Sequence, residues 1–578
     1  MKEIWQKLMR LFDKRQKHQM AGLAVLMVIG AALETASTLL LMAVIGVVVT
    51  PETVQNNAIL SAIYNALGMS DKGFSIFLMV LLIFSFIAKN AYLFLLWKLT
   101  YAFVYRNQLR TSERLMRNYI KRPYEFYLFA DTAVVQRSIT SDVNNMYGLV
   151  QALLTLATEA MVCTFLAVLL FVTAPLFCIV MTVLLIIVMF LITKLLKPVM
   201  ERAGQENQDF YAGLFKWISQ TVQGIKEVKV TGTEKYFVDE YKKCGTGYVN
   251  AVQRYTLYNN TPKLLIETVS IAGMMGCLIL MLVRGGDIGA ELPALGGIVA
   301  AAYRLLPSAN KINNQLNAIS YFRPFLMNVS DNLLDEIDNK NTDMTFANPD
   351  VEKIEIKKGI GLRGITYKYP ETERYIFKDA NMEIPIGSAV GVVGASGAGK
   401  TTIVDILLGL LKVEKGGVYA DDINTEDNYR GWLANVGYIP QMIYMLDGSI
   451  RKNVAFGIPD EKIDEARVWA VLEEAHLADY IRTLPEGLDT EIGERGIRIS
   501  GGQRQRIGIA RALYNDPEVL ILDEATSALD NDTEAAIMES INALHGKKTL
   551  VIIAHRLQTI EKCDMVYRVK DGKIELEK

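Results

Sequence analysis

Six long apolar runs in the first half of the sequence constrain the fold more than any other feature. A helix needs about 20 apolar residues to cross the hydrocarbon core of a bilayer, and most of the runs reach that length. They cover about residues 19–49, 74–99, 150–172, 176–196, 264–283 and 292–306, the last being the shortest and Gly-rich. The hydrophobic share of 51% and the mean hydropathy of +0.20 are both high for a soluble protein. The runs therefore predict six transmembrane helices.

The distribution of Lys and Arg predicts how these helices are oriented. Basic residues crowd the N-terminal arm and two long polar connections, residues 100–148 and 197–262. The connections on the other side carry only Lys72 and Arg284. Because cytoplasmic loops carry the excess of basic residues, we expect both termini and the long connections in the cytoplasm. The sequence predicts a multi-pass protein of the cytoplasmic (inner) membrane, without a cleavable signal peptide, since the first run is longer than a signal core.

The two long connections are too long for turns and too periodic for linkers. They predict helical extensions of the spans, interrupted by short crossing elements near residues 122–127, where Pro123 favours a break, and near 224–229. A solvated helical surface without a mechanical role is the alternative. Residues 59–67 form an amphipathic face that ends at Gly68. We expect this external segment either in the outer membrane interface or packed on its own protein.

Charged residues within the apolar runs are costly, at about 2.5 to 3.5 kcal/mol each on insertion scales, so they need a cavity or one another. They are Glu34, Lys89, Glu159, Glu267 and Arg304, with Lys263 and Lys311 near span ends. We interpret Lys89, Lys263 and Arg304 as part of a polar pathway that can meet an anionic group. Structural Lys–Glu pairing or snorkelling to the interface is the alternative. The glutamates leave a cationic or zwitterionic substrate open.

Length, charge and cysteine content narrow the class of protein. A chain of 578 residues is too long for a single core. The formal net charge of -2 gives no bulk attraction to nucleic acid, so we expect no nucleic-acid partner. The five cysteines are scattered, which favours small buried hydrophobes over a disulfide framework or a metal cluster.

The composition changes between the two halves of the chain. Residues 331–350 are polar and charged, and we interpret them as a linker between a transmembrane domain at 1–330 and a second domain at 351–578. In the second domain apolar strand patterns alternate with helical patterns. This alternation predicts an α/β domain with a mainly parallel sheet.

The strongest motif of the second domain is a glycine-rich loop, GASGAGKTT at residues 394–402. It follows a buried-strand pattern at 389–393 and precedes a helical pattern at 403–411. In such a loop backbone N–H groups surround phosphates, Lys400 can reach the β- and γ-phosphates, and the Thr401 hydroxyl can bind Mg2+. The candidate phosphate-binding residues are Gly394, Ser396, Gly397, Gly399, Lys400, Thr401 and Thr402. The loop predicts a nucleoside triphosphate as ligand.

A second buried-strand pattern, residues 519–522, ends in the two carboxylates Asp523 and Glu524. Asp523 at the edge of the sheet can hold Mg2+ through water, and Glu524 can polarise the attacking water. A strand that ends in Asp-Glu downstream of a phosphate loop predicts hydrolysis of the triphosphate.

The segment SGGQRQR at residues 500–506 precedes this strand and resembles the signature sequence of the ABC transporter ATPases. The whole second domain is similar to that ATPase, with Ile499 where the family usually has Leu, and the resemblance implies ATP and Mg2+ as cofactors. It also implies that Tyr369 stacks on adenine and that Gln441 contacts Mg2+ and the membrane domain. The signature residues that bind the nucleotide of the opposite subunit are then Ser500, Gly501, Gly502 and Gln503. Asp530 belongs to the loop that crosses to that subunit, and His555 is the switch histidine. In the family two such domains hold ATP between them, and the intact motifs favour a homodimer with a second copy of this chain.

Six spans followed by this ATPase resemble the exporter-type ABC proteins, in the half-transporter arrangement. The crossing elements then resemble coupling helices, and the resemblance implies ATP-driven transport by alternating access. The membrane half is also similar to bacterial flippases of lipid-linked oligosaccharides. The features that carry this similarity are Lys89, Lys263, Arg304, the external segment and residues 224–229. This implies a lipid-linked oligosaccharide or related lipid as substrate. Exporters of drugs, peptides or ordinary lipids on the same scaffold are the alternative.

Three other classes fit the sequence less well. A peptide-processing exporter needs a protease domain before the first span, and we expect the short arm Met1–His18 to exclude it. Soluble chromosome-maintenance ATPases share the signature but carry coiled-coil heptads in place of spans. A regulator or channel on this scaffold stays open, although the intact catalytic residues argue against it.

Overall fold

The computed structural model describes residues 1–49, 58–173, 175–283, 288–337, 352–523, 531–554 and 560–578. The chain forms two compact units. The first consists of Met1–Ile120 and Ala130–Asn341, and the second of Lys121–Phe129 and Thr342–Lys578. A short segment from the first half of the sequence therefore belongs to the second unit.

The described part of the first unit is built from helices. In chain order the helices up to residue 337 are α1 (Lys2–Leu11), α2 (Lys14–Val49), α3 (Ala58–Leu67), α4 (Asp71–Ile120), α5 (Tyr124–Phe129), α6 (Thr132–Arg137), α7 (Val143–Thr173), α8 (Pro175–Gln223), α9 (Ile225–Thr231), α10 (Glu234–Val283) and α11 (Ile288–Ile337). A π-helical turn, Ser138–Asp142, joins α6 to α7. Only α5 belongs to the second unit.

Four stretches of the described chain are long and apolar enough to cross a membrane. They are Lys14–Val48, Asp71–Ile120, Thr132–Val168 and Thr182–Gln223. They contain the whole of the second predicted run and most of the first, third and fourth, as a multi-pass membrane protein requires. The fifth and sixth runs fall in α10 and α11, where many side chains lie outside the described residues. The count of six spans therefore stays a prediction.

The predicted helical extensions are confirmed by the lengths of the helices. Each of α4, α10 and α11 contains 50 residues, and α8 contains 49. At 1.5 Å per residue such a helix is about 75 Å long, more than twice the ~30 Å of a hydrocarbon core. The short helices α5 and α9 stand at the two predicted crossing elements, and α9 ends at Gly232 in the left-handed conformation.

The external segment forms α3 and packs on its own protein. Leu60 joins a buried apolar cluster with Val44 and Val47 of α2 and Phe74 and Leu78 of α4. Of the two arrangements that the sequence left open, the structure has the packed one.

The second unit contains two sheets. Its strands are β1 (Gly359–Lys368), β2 (Tyr375–Pro385), β3 (Ala389–Gly394), β4 (Lys415–Ala420), β5 (Ile423–Asn424), β6 (Val436–Ile439), β7 (Val519–Asp523), β8 (Thr549–Ile553), β9 (Met565–Lys570) and β10 (Lys573–Leu576). The larger sheet has the order β10-β9-β3-β8-β7-β6 and is parallel from β9 to β6. The smaller sheet, β2-β1-β4-β5, is antiparallel. The predicted α/β class and the mainly parallel sheet are confirmed, and the antiparallel sheet is an addition.

The parallel sheet positions the motifs at one edge. Strands β7 and β8 are buried along their whole length, and β3 along all but its last residue, because each is a continuous apolar run in the middle of the sheet. Besides α5, the described α-helices of this unit are α12 (Lys400–Leu407), α13 (Tyr429–Ala434), α14 (Ile450–Val454), α15 (Glu465–Glu474), α16 (Ala478–Arg482), α17 (Gly501–Leu513) and α18 (Asn531–Asn542). Ile553 of β8 lies opposite both Val392 of β3 and Asp523 of β7, so the carboxyl ends of these strands meet at the same edge.

Candidate active site

The glycine-rich loop connects β3 to α12 and needs its glycines for two different reasons. Gly397 and Gly399 have φ angles of 75° and 107°, which L side chains rarely adopt. A Cβ atom on Gly399 would also lie 2.8 Å from Ile376 Cγ2 and 2.9 Å from Phe377 Cζ. A Cβ on Gly394 would lie 2.6 Å from the carbonyl oxygen of Val569. The loop is thus packed closely against β2 and β9.

Lys400 begins α12 and is only 5% exposed. Its Nζ donates hydrogen bonds to the carbonyl oxygens of Gly394 at 3.0 Å and of Ala395 at 3.2 Å. The ammonium group is therefore held inside the loop, and it is positioned before any ligand arrives. The next residue, Thr401, is exposed, and Thr402 is buried.

Tyr369 lies beside the start of α12. Its hydroxyl is 3.0 Å from Thr402 Oγ1, and its ring packs edge-on against Tyr367 with 5.3 Å between centroids. The structure thus brings the predicted adenine-stacking residue to the glycine-rich loop, although the two are more than 20 residues apart in sequence.

A cavity of about 820 Å³ opens beside the loop. It is lined by the loop residues Gly394 to Ala398, including Ser396, by Ile376, and by the cations Arg374, Lys378, Arg568 and Lys570. The volume is within the range of small-molecule sites, and a basic lining suits an anionic ligand. The loop residues in this lining were predicted. The four cations were not, because they come from the β1–β2 connection, β2 and β9, far from any motif.

Asp523 ends β7 at the same edge of the sheet and is 4% exposed. Ile439 of β6 pairs with Leu522, so Gln441, two residues beyond β6, is placed near Asp523 by the strand register. The Gln441 side chain is exposed. The structure thus gathers Lys400, Thr401, Gln441 and Asp523 at the carboxyl ends of adjacent strands. Glu524, Asp530 and His555 lie outside the described residues, and their roles stay predictions.

A carboxylate that sequence reasoning missed lies next to this group. Asp405 projects from α12, and burial, assisted by the negative charge of Asp523, raises the pKa of Asp405 to about 6. The signal in the sequence was an acidic residue in the middle of the apolar helix pattern that follows the loop. Two carboxylates close together in a half-buried place favour the binding of a cation, which would relieve their repulsion.

The signature residues form the start of α17. Ser500 Oγ accepts a hydrogen bond from the backbone N–H of Gln503 at 3.2 Å, and the N–H of Ser500 donates to Gln503 Oε1 at 2.8 Å. This is a capping box, which fixes the helix N-terminus and leaves Gly501 exposed. Within the described residues no hydrogen bond or ion pair joins Ser500, Gly501, Gly502 or Gln503 to the glycine-rich loop.

The segment α5 also contributes to this unit. Glu125 Oε1 accepts a hydrogen bond from the backbone N–H of Lys412 at 3.2 Å. Burial, followed by the nearby charges of Asp405 and Tyr369, raises the pKa of Tyr124. The predicted crossing element near residues 122–127 is therefore seated close to Asp405, on the same side of the unit as the loop.

In the first unit the charged residues of the apolar runs behave differently from one another. Lys89 is 6% exposed and its Nζ lies 4.4 Å from the centroid of the Phe86 ring, whereas Lys263 is exposed. No hydrogen bond, ion pair or ring contact joins Lys89 to Lys263 among the described residues, and the side chain of Arg304 is outside them. Glu159 forms an ion pair with Lys311 at 2.6 Å, as the pairing alternative predicted.

Two protein-family models match the chain. One is described as ABC transporter and covers residues 377–527, and the other as ABC transporter transmembrane region and covers residues 21–285. Together they include the glycine-rich loop, the signature and the first five apolar runs apart from residues 19 and 20.

Two curated relatives and one solved structure are similar to the chain. A protein of Staphylococcus aureus (strain NCTC 8325), named a multidrug export ATP-binding/permease protein, is 30% identical over 380 residues, which are 65% of this chain and 64% of that protein. The chain thus matches slightly less than two thirds of that relative's length. An ATP-dependent lipid A-core flippase of Wigglesworthia glossinidia brevipalpis is 28% identical over 472 residues, 81% of this chain and 79% of the flippase. The structure of a bacterial Atm1-family ABC exporter with ATP bound superimposes with a TM-score of 0.78 at 23% identity, covering 97% of this chain and 95% of that one. The last similarity concerns the fold.

Proposed function

We propose that this chain, a member of the ABC transporters, works as an exporter that uses ATP hydrolysis to drive an amphipathic substrate across a membrane. The observation that carries the proposal is the combination, in one chain, of a basic cavity lined by the glycine-rich loop with helices long enough to span a bilayer. The cavity binds ATP, and hydrolysis there supplies the free energy. We place the protein in the cytoplasmic membrane with both termini in the cytoplasm.

The residues of the cavity fit the triphosphate. Gly394 and Gly399 leave no room for a Cβ atom against β9 and β2, so the loop packs closely on these strands. The N–H groups of such a glycine-rich loop are then available to the phosphates. Lys400 is already held inside the loop by two carbonyl oxygens, so little reorganisation is needed when it turns to the phosphates. Tyr369 offers its ring to the adenine.

The oxygen donors at the end of the sheet fit Mg2+, which prefers hydroxyl, carboxylate and amide oxygens. Thr401, Gln441 and Asp523 would hold it, and when bound it neutralises charge on the phosphates. Glu524 follows Asp523 directly and acts as the general base for the attacking water. The family resemblance assigns His555, which follows β8, as the switch histidine.

We infer that the working form is a homodimer. The signature residues form the capped N-terminus of α17. Within the described residues, no hydrogen bond joins Ser500, Gly501, Gly502 or Gln503 to the glycine-rich loop of the same unit. A helix N-terminus with an exposed glycine is suited to bind a γ-phosphate presented by a second copy. Asp530 belongs to the same contact, so ATP holds the two copies together and hydrolysis releases them.

We propose a lipid-linked oligosaccharide or a related lipid as the substrate. The buried cation Lys89 can meet an anionic head group, and the flippase among the relatives is named for a glycosylated lipid. Export of drugs is the second candidate, favoured by the name of the staphylococcal relative.

A test in proteoliposomes separates catalysis from substrate choice. Replacing the general base, Glu524→Gln, should lower ATP hydrolysis by at least about 100-fold and leave ATP binding intact. Glu518→Gln, the same change directly before β7, is the matched control and should hydrolyse ATP normally. Hydrolysis by Glu524→Gln at the wild-type rate would contradict the role of Glu524.

The same vesicles report on the substrate. We expect ATP-dependent movement of a fluorescent lipid-linked glycan by the wild type and none by Glu524→Gln, while a fluorescent drug serves as the competing cargo. Transport of the drug alone would select the second candidate.

A further inference from the structure

A polar layer lies between two apolar layers where α8, α10 and α11 pack together. On one side Ile192, Ile266 and Ala309 form a buried cluster, with one residue from each helix. On the other side Met200 and Ala203 of α8 pack with Tyr321 of α11, whose ring stacks on Tyr255 of α10 at 3.9 Å between centroids. The residues between these clusters on α10 and α11 therefore face a helix interface that is apolar above and below.

Asparagines fill this layer. Asn310, Asn313, Asn314 and Asn317 recur at i, i+3, i+4 and i+7 and so share one face of α11. A long hydrogen bond of 3.5 Å from Asn317 Nδ2 to the carbonyl oxygen of Tyr258 places this face against α10 next to Asn259. We call these five asparagines, Asn259, Asn310, Asn313, Asn314 and Asn317, the asparagine layer.

Four of the five asparagines in the asparagine layer have at least one buried amide atom without a hydrogen-bond partner among the described residues. Asn313 is 0% exposed, and neither its Nδ2 nor its Oδ1 has a hydrogen-bond partner among the described residues. The Oδ1 atoms of Asn259, Asn310 and Asn314 are buried without a partner as well. Burying an amide without a hydrogen bond costs free energy, and native structures keep few such groups. Such a cluster calls for partners that the packed helices do not supply, from water, from a ligand or in a second conformation.

Prolines loosen the backbone at the same level. Pro262 in α10 lacks an N–H, so the carbonyl oxygen of Tyr258 has no i+4 donor in its own helix and accepts from Asn317. Pro198 lies inside α8, between Ile192 and Met200 of the two apolar clusters, and Pro307 lies inside α11, three residues before Asn310. A proline in each of the three helices allows them to bend apart at the asparagine layer.

We propose that the asparagine layer is a binding subsite for the sugar hydroxyls of the transported lipid, exposed when α10 and α11 separate. This inference rests on the proposed function. Each amide offers two donors and an acceptor, which matches hydroxyl groups that both donate and accept. The nearby cation Lys311 is paired with Glu159 at 2.6 Å, so the layer itself presents neutral groups and favours an uncharged glycan over a phosphate.

The subsite is tested by comparing head groups on the same alkyl chain. Full-length protein in nanodiscs of phosphatidylethanolamine and phosphatidylglycerol is titrated with octyl maltoside and with octylphosphocholine, and half-saturation is read from intrinsic fluorescence. Asn313→Leu combined with Asn314→Leu should raise the half-saturating concentration of octyl maltoside at least tenfold and that of octylphosphocholine less than twofold. Gln315→Leu, on the same helix but off the shared face, is the control and should change neither by more than twofold.

Two outcomes overturn the proposal. Equal losses for both head groups would mean that the layer only supports packing, and unchanged maltoside binding would mean that the amides do not meet the glycan. If the double variant fails to fold, Asn314→Leu alone, at a half-buried position, is measured in the same way, with an expected loss of at least threefold for octyl maltoside only.

A second readout reports on the unpartnered amides without any ligand. Because Asn313→Leu removes a buried amide that lacks hydrogen bonds, it should raise the Tm of the nanodisc-embedded protein. A lower Tm would show that the amide is bonded in the folded chain and would contradict the proposal.

The source of the glycan is distinguished by two further ligands, a diphosphate-linked glycan and a phosphate-free glycolipid. The variants should weaken both. Failure of the proposed function has a different signature: wild-type vesicles would move no lipid in the presence of ATP, while the head-group selectivity of binding would still depend on Asn313 and Asn314.

Discussion

The glycine-rich loop and the asparagine layer differ in whether their buried polar groups have hydrogen-bond partners. In the loop, Lys400 donates to two carbonyl oxygens and the Thr402 hydroxyl is 3.0 Å from that of Tyr369. In the asparagine layer, Asn313 is fully buried and both of its amide atoms lack partners among the described residues. A buried polar group without a partner costs about 1–3 kcal/mol, whereas a typical satisfied hydrogen bond contributes about 1 kcal/mol.

The difference separates a preorganised site from one that changes state. A catalytic site works best when its dipoles and charges are already in place, because no reorganisation is needed during the reaction. A cluster of unsatisfied amides instead raises the free energy of the packed arrangement and so favours the alternative in which ligand or water satisfies them. We therefore expect ATP to bind with little rearrangement of the glycine-rich loop, and the substrate to bind with a change in how the helices pack at the asparagine layer.

The largest effect is expected at Gly399, where preorganisation depends on the absence of a side chain. Gly399→Ala adds a Cβ within 2.9 Å of Ile376 and Phe377 at a φ of 107°, and ATPase activity should fall by about 100-fold or more. Gly397→Ala is the control, since a Cβ there meets no atom within 4 Å and only the φ of 75° is strained. Its expected loss is about tenfold, from ~1–2 kcal/mol of strain. Equal losses in the two variants would argue against close packing of the loop.

A smaller effect is expected from breaking the Glu159–Lys311 ion pair, which is a partly buried polar contact with both partners present near the asparagine layer. Lys311→Met leaves the largely buried carboxylate of Glu159 without its 2.6 Å partner, and should lower the free energy of unfolding by about 1–2 kcal/mol. Lys7→Met breaks an ion pair of the same length with Asp331, whose side chain is 61% exposed. That control should cost less than about 1 kcal/mol. Chemical denaturation in detergent measures both, and similar losses would contradict the effect of burial.

The third prediction concerns an unfavourable charge beside the loop. Because burial and Asp523 raise the pKa of Asp405 to about 6, its protonated form favours the folded state, and this contribution is present below pH ~4 and lost as the pH rises through 6. The shift of about 2 units corresponds to roughly 3 kcal/mol, which solvent screening of a half-buried group reduces to about 1–2 kcal/mol. Asp405→Asn should therefore unfold at a higher temperature than the wild type at pH 8, and the difference should shrink toward pH 4.

Asp421→Asn is the control of opposite sign for that measurement. Hydrogen bonds from the backbone N–H groups of Gly359, Lys357 and Lys358 hold the pKa of Asp421 below its ordinary value. Its stabilising contribution is present at neutral pH and is lost as the pH falls, so this variant should melt earlier than the wild type at pH 8. Identical pH profiles for the two variants would refute the assignment to Asp405.

Much of the second unit could be predicted from the sequence because its motifs are local. The loop at residues 394–402 and the strands β3 and β7 have continuous patterns that fix both the element and the neighbouring chemistry. The antiparallel sheet was not predicted, because β1 pairs with β2 and β4 through several register shifts that blur the alternation of buried and exposed residues. Asp405 was missed because its raised pKa depends first on burial and then on the charge of Asp523, which is distant in sequence.

The first unit was predicted in outline and not in its contacts. Apolar length and basic residues predict long helices, but the Glu159–Lys311 ion pair joins residues 152 positions apart. The asparagine layer escaped notice because amides carry no charge and their burial depends on how α10 and α11 pack. Only the structure shows that the carbonyl oxygen of Tyr258, which has no helical donor because residue 262 is a proline, accepts a hydrogen bond from Asn317.

The length of α4 has a mechanical consequence. Its 50 residues form a continuous helix of about 75 Å that ends at Ile120, four residues before α5 begins. A tilt of roughly 5° about its midpoint would displace each end by about 3 Å, which is close to the diameter of a water molecule, without breaking any hydrogen bond within the helix. Such a lever converts small angular changes into strokes large enough to admit or exclude solvent.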